Sequence, residues 1–209
     1  MKLLNKTRYK IFIISPKLIK HCIYPSNNCD YTQFNSSKIH PHAGINRGVF
    51  REDMDGFIKI NNLNWDLKSG VLFTKLLEFE ALKNHYNGKE NWKKSKFAER
   101  NLIYLQNNKN VRGIKSTQNF LSIREKQIDK LFNSILKKGV YPVGLKKNNK
   151  NLFIDNISTA LTKDNKLLFN NRGHHRLSIA KILNLKEIPI KITVAKSLKN
   201  LKEFIYSNK

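Results

Sequence analysis

The spacing of hydrophobic positions changes twice along the chain. From Thr74, Leu76, Leu77, Ala81 and Leu82 recur every three to four residues with Phe79 alongside, which predicts a helix ended by Asn87-Gly88. A second helix is predicted over about Ser95 to Leu105, carrying Phe97, Leu102, Ile103 and Leu105. The strongest stripe, formed by Leu121, Ile128, Leu131, Phe132, Ile135 and Leu136, predicts a helix over about Leu121 to Lys138, with Gly139 where a C-cap glycine belongs. After Tyr141-Pro142 the period falls to two. Asn156 to Leu161 and Lys166 to Asn170 read as strands joined by a hairpin turn at Lys163-Asp164-Asn165. A helix of about His174 to Leu183, stopped by Asn184, leads to a strand over Ile188 to Val194 and a last helix from Ser197 to about Tyr206. Ahead of all this, Gly56 to Ile60 alternates like a short strand, and Asn64-Trp65-Asp66 opens a second extended segment or turn.

From the long central helix onward the order is α-β-β-α-β-α, which predicts a mixed α/β or α+β domain. Residues 1–50 are rich in Asn, Ser, Pro and His and hold no sustained period, so they are expected to form an irregular extension with room for one strand. The expected division is therefore 1–50 as an extension, 51–119 as a strand and helical accessory region, and 120–209 as the main domain.

Composition narrows the function less than the charge suggests. A net charge of +25 would ordinarily point to nucleic acid or an anionic membrane. The chain, however, has 32 Lys against 8 Arg, with 27 Asn and 22 Ile but only 6 Ala. Lys, Asn and Ile have A/T-rich codons, and the lysines are spread over the chain like a solvated surface. Nucleic-acid binding is thus not the favoured reading. Cys22 and Cys29, with His21, His40 and His42, match no compact zinc spacing, so no zinc is expected and these residues are read as scattered over the surface. The apolar run Ile11-Phe12-Ile13-Ile14 is too short to span a membrane. A cytoplasmic location, with no membrane partner, is the expectation.

The candidate chemistry lies at Asn171-Arg172-Gly173-His174-His175-Arg176, where a strand runs through one glycine into a helix that opens with His-His-Arg. A helix N-terminus presents free N–H groups and a positive dipole end, and glycine lets a ligand approach the backbone. Three cationic or titratable side chains in that turn oppose the dipole unless an anion relieves them. A phosphate site is therefore expected at Asn171, Arg172, Gly173, His174, His175 and Arg176, with His175 as the candidate catalytic proton carrier and Arg176 as a clamp. Asn170 or Asn171 is expected to hold the turn or cap the helix. No carboxylate is singled out as base or metal ligand: Asp155, Asp164 and Glu187 read as structural, and Asp53, Asp55 and Asp66 stand out no further. Trp65 and Trp92 read as core or clamp residues.

The run from Asp155 to Ile192, with its hairpin, Gly173-His174-His175-Arg176-Leu177, Ala180, and Ile188-Pro189-Ile190 opening the next strand, resembles the ParB/sulfiredoxin-like superfamily. Lys138-Gly139 and Pro142 ahead of it fit the same pattern, and the segments around Trp65 and Trp92 look like archaeal and phage proteins that carry this domain. The resemblance implies a small mixed sheet with flanking helices and a nucleotide phosphate on the glycine turn, with ATP, ADP or CTP as the ligand and Mg2+ as a companion ion. His174 stands where a sulfiredoxin has its cysteine, and Arg172 stands where the kinases of the superfamily have aspartate. Little chain remains after Val194 for the DNA-binding part of a partitioning protein. Phosphoryl transfer or nucleotide hydrolysis is the leading expectation; a DNA-binding protein or nuclease, and a non-catalytic ligand-binding module, are the alternatives.

Overall fold

Short apolar segments from distant parts of the chain meet in one sheet, which three of the helices then cover. The structure is a computed structural model and describes residues 7–8, 11–23, 57–60, 72–108, 114, 116–141, 156–170 and 172–207. In chain order its strands and α-helices are β1 (Thr7–Arg8), β2 (Ile11–Ile14), β3 (His21–Cys22), β4 (Phe57–Ile60), α1 (Leu77–Tyr86), α2 (Lys96–Asn108), α3 (Thr117–Lys138), β5 (Ile157–Leu161), β6 (Leu167–Phe169), α4 (His174–Ile182), β7 (Ile188–Ala195) and α5 (Leu198–Ser207). The fold is mixed α/β. The strand order is β1-β4-β7-β5-β6-β3, with β2 also paired to β7.

The central strand is β7. β5 runs parallel along one edge, while β2 (antiparallel, at Ile188 to Lys191) and β4 (parallel, at Val194-Ala195) share the other. β5 and β6 form the expected antiparallel hairpin, its turn closed by Asn165 at φ 57°. A bulge interrupts the β5–β7 ladder. Thr159 pairs with Ile192 and Ala160 with Val194, which leaves Thr193 opposite nothing. The Thr193 hydroxyl donates to the Thr159 carbonyl at 3.1 Å and so occupies a group near the interruption.

On one sheet face Phe12, Ile14, Ile157, Phe169, Ile188, Ile190 and Ile192 pack against Leu177 and Ala180 of α4 and against Leu201 and Phe204 of α5. Each such side chain contributes roughly 1.5–3 kcal/mol when fully buried. Beside this core, Ala81, Leu82, Trp92, Phe97 and Ile128 form a second cluster that joins α1, α2 and α3. Trp92 is thus a core residue, as expected; Trp65 lies outside the described residues.

Three differences from the sequence reading matter. Among the described residues, the first segment holds more than the one strand expected: β1, β2 and β3 are strands of the sheet, and Lys181 of α4 donates to the Pro16 carbonyl at 2.6 Å. Strand pairing across such a sequence distance leaves no local period to read. Cys22 is not a surface residue but a buried one in β3, where burial pushes its thiol well above the ordinary range. On α3, Phe120, Arg124, Ile128 and Ile135 are buried, whereas Leu136 is 58% exposed. The inward face is therefore set by the i, i+4 series from Phe120, in which an arginine stands at an apolar position.

The C-terminal end of α4 follows the sequence closely. Asn184 takes φ 51°, its N–H donates to Lys181 and the Leu185 N–H donates to Ala180, the paired bonds of a Schellman motif.

Candidate functional site

The head of α4 is fixed to the sheet from two sides. Ser158 of β5 donates to the Arg172 carbonyl at 3.1 Å and accepts from the Asn170 N–H at 2.8 Å. The buried Asn170 amide donates to the bulge hydroxyl of Thr193 at 2.7 Å. The bulge therefore positions the turn, and Asn170 holds the turn rather than capping the helix. Gly173 follows at φ 80° and ψ 20°, the left-handed conformation that favours glycine. A Cβ there would lie 2.7 Å from Ile157 Cα and 3.0 Å from Ile157 N, so the close approach of the turn to β5 also demands glycine.

His174 and His175 open α4, and their rings turn inward, not toward solvent. Their Nε2 atoms lie 2.8 Å and 2.5 Å from one oxygen, Oε1 of Glu78 in the first turn of α1. All three residues are buried. The anion that relieves the cationic turn is thus supplied by the chain itself, near the N-terminal turns of two helices, where the dipoles favour negative charge. Burial alone would raise the Glu78 carboxyl; the imidazoles of His174 and His175 outweigh it and hold the carboxyl well below the usual carboxylate range. For His175, burial dominates and pushes the imidazole down to about 4, against the opposing pull of Glu78 and with His174 and Arg124 adding to the depression. At neutral pH an ionised carboxylate therefore faces a neutral His175 ring.

Arg124 completes the group from α3, with its Nη2 3.3 Å from His175 Nε2 and its Nη1 donating to Gln127 at 2.6 Å. Glu78 and Arg124 are the residues that sequence reasoning missed. The available signal was a charged side chain on the buried arc of an amphipathic helix: Glu78 shares its face with Ala81 and Leu82, and Arg124 falls midway between Phe120 and Ile128.

The remaining expected site residues lie around this cluster. Arg172 and Gly173 are half-buried at the turn, and half-buried Arg176 donates to the Tyr141 carbonyl at 3.4 Å. Asn171 lies outside the described residues, as do Asp53, Asp55, Asp66, Asp155, Cys29, His40 and His42. Asp164 is exposed at the hairpin tip and Glu187 is exposed ahead of β7, so neither faces the turn. Among the described residues, Glu78, His174 and His175 form the metal-competent set, one ligand atom from each lying within 4.8 Å of the others. No helix among these residues is long and apolar enough to cross a membrane.

Comparison with known proteins gives no match to a family model, a curated protein or a solved structure.

Proposed function

We propose that the chain is a ParB/sulfiredoxin-like protein that binds a nucleotide, ATP, ADP or CTP, or another phosphorylated small molecule at the turn from Asn171 to Arg176, with phosphoryl transfer or nucleotide hydrolysis as the chemistry. The observation that carries this reading is Gly173: a left-handed residue pressed against Ile157 sets the N-terminus of α4 at the start of β5, where Arg172 and Arg176 flank it half-exposed. Backbone N–H groups of the first helical turn and the two guanidinium groups are the phosphate-facing donors in this reading. The imidazoles are assigned a different task, because both rings are turned onto Glu78. His175, neutral and hydrogen-bonded within the cluster, is then the group placed to handle a proton near the bound phosphate.

Calorimetric titration with ATP, ADP, CTP and GTP, with and without Mg2+, tests the reading. Saturable binding to one or more nucleotides, lost when Arg172 and Arg176 are both replaced by Ala, is expected. Absence of binding by all four, or unchanged affinity in the double variant, would remove it.

A further inference from the structure

The histidine pair and Glu78 pose a donor–acceptor conflict that a proton-only network resolves poorly. A guanidinium group carries donors and no acceptor, so toward Arg124 Nη2, 3.3 Å away, the His175 Nε2 has to present its lone pair. Toward the Glu78 carboxylate oxygen, 2.5 Å away, the same nitrogen would have to present a proton. One nitrogen cannot do both. His174 Nε2 approaches that same oxygen at 2.8 Å, and no hydrogen bond of good geometry from a described residue reaches Glu78 Oε1. Two imidazole nitrogens and one carboxylate oxygen thus converge on one buried point, and at His175 the lone pair and the carboxylate face each other.

We propose that Glu78, His174 and His175 are the protein ligands of a first-row transition-metal dication, of the Zn2+ or Fe2+ class. Two imidazoles and one carboxylate suit such an ion better than Mg2+, which prefers oxygen ligands. Metal–ligand bonds of about 2.1 Å set neighbouring ligand atoms roughly 3–3.5 Å apart. Separations of 2.5 and 2.8 Å reach that range with side-chain shifts of under about 1 Å. A metal would give the three ligand atoms one partner and remove the clash between His175 and the Glu78 carboxylate, with the Arg124 donor left as its competitor. The ligands come from the first turns of α1 and α4, so the ion would also tie the helical layer to the turn at Gly173. The inference does not rest on phosphate binding at the turn; a metal on His175 Nε2 would take the proton-carrier role from that residue, and the test needs no nucleotide.

The test uses the full-length chain without an affinity tag, stripped with chelator and titrated with Co2+, Zn2+ and Mg2+. Expected are one Co2+ per chain with the visible absorption of a site of low coordination number, displacement of Co2+ by Zn2+, and no displacement by millimolar Mg2+. Glu78→Gln and His175→Gln should each weaken Co2+ binding by at least about tenfold, since each removes a ligand. Arg124→Met keeps the three ligands and removes the competing donor, so it should bind Co2+ at least as tightly as the natural chain. If the ligand variants fail to fold by circular dichroism, the Arg124→Met result and the wild-type spectrum decide. Lack of Co2+ and Zn2+ uptake by the wild-type chain overturns the proposal. So does uptake that folded Glu78→Gln leaves unchanged, which would place the metal on other histidines or cysteines, or uptake weakened by Arg124→Met.

Discussion

Replacing Gly173 by Ala tests whether the turn before α4 is dictated by its contact with β5. The substitution has two costs that the structure separates. The first is conformational: φ is 80°, and an L-residue in the left-handed region loses about 1 kcal/mol relative to glycine. The second is steric. The new Cβ would sit 2.7 Å from Ile157 Cα and 3.0 Å from Ile157 N, and these are backbone atoms of a strand paired on both edges, so they cannot retreat cheaply. Overpacking of this kind costs about 1–3 kcal/mol, for a total of about 2–4 kcal/mol. In a chain of this length that lowers the melting temperature by roughly 4–16 °C. Gly88 provides the control, with φ 69° and no atom of a described residue within 4 Å of its would-be Cβ, so Gly88→Ala should lose only the conformational part, about 1 kcal/mol. Urea melts of the two variants beside the natural chain supply the comparison. Equal losses would show that the contact with Ile157 does not constrain the turn.

Further consequences follow from single contacts. Thr193→Val removes the hydroxyl that serves both the Thr159 carbonyl and the Asn170 amide and should cost about 1–3 kcal/mol. In a double-mutant cycle with Asn170→Ala, denaturant melts should report coupling above about 0.5 kcal/mol, and simple additivity would count against the link between bulge and turn. Phe12→Ala should cost about 3–5 kcal/mol, because Phe12 is buried edge-on against Phe204 with ring centroids 5.4 Å apart; a mutation in a detached N-terminal arm would leave the melt unchanged. Burial first, and then the bond to Asp129, raise the Tyr86 phenol above its ordinary value of 10.0. Tyr86 therefore binds its proton more tightly in the folded chain. The resulting stability is fully present below about pH 10 and is lost as the pH rises from there toward the folded-state value. Melts across the alkaline range should show the natural chain losing stability more steeply than Tyr86→Phe, and identical slopes would refute the assignment.

The sequence disclosed what short-range chemistry dictates. The Asn165 turn, the Gly139 and Asn184 helix stops and the glycine before His174 each follow from a backbone conformation that few residues accept, and all stand where the pattern placed them. Long-range pairing left no such trace. Strands of two and four residues near the N-terminus become sheet only through partners in β4, β6 and β7. The site shows the same limit. The turn with its histidines and arginines was legible, but Glu78 reaches it from another helix, and nothing local to the turn records that approach. The charged residues on buried arcs, Glu78 and Arg124, were the one trace of it.

The turn at Gly173 is the feature on which the functional reading rests, and a crystal structure of the chain soaked with nucleotide and Mg2+ examines it at atomic detail. Phosphate density on the first-turn N–H groups of α4, flanked by Arg172 and Arg176, is the expected finding. A fully occupied nucleotide elsewhere on the molecule, with that turn empty, would overturn the phosphate reading and leave the cluster of Glu78, His174 and His175 to be explained by its own chemistry.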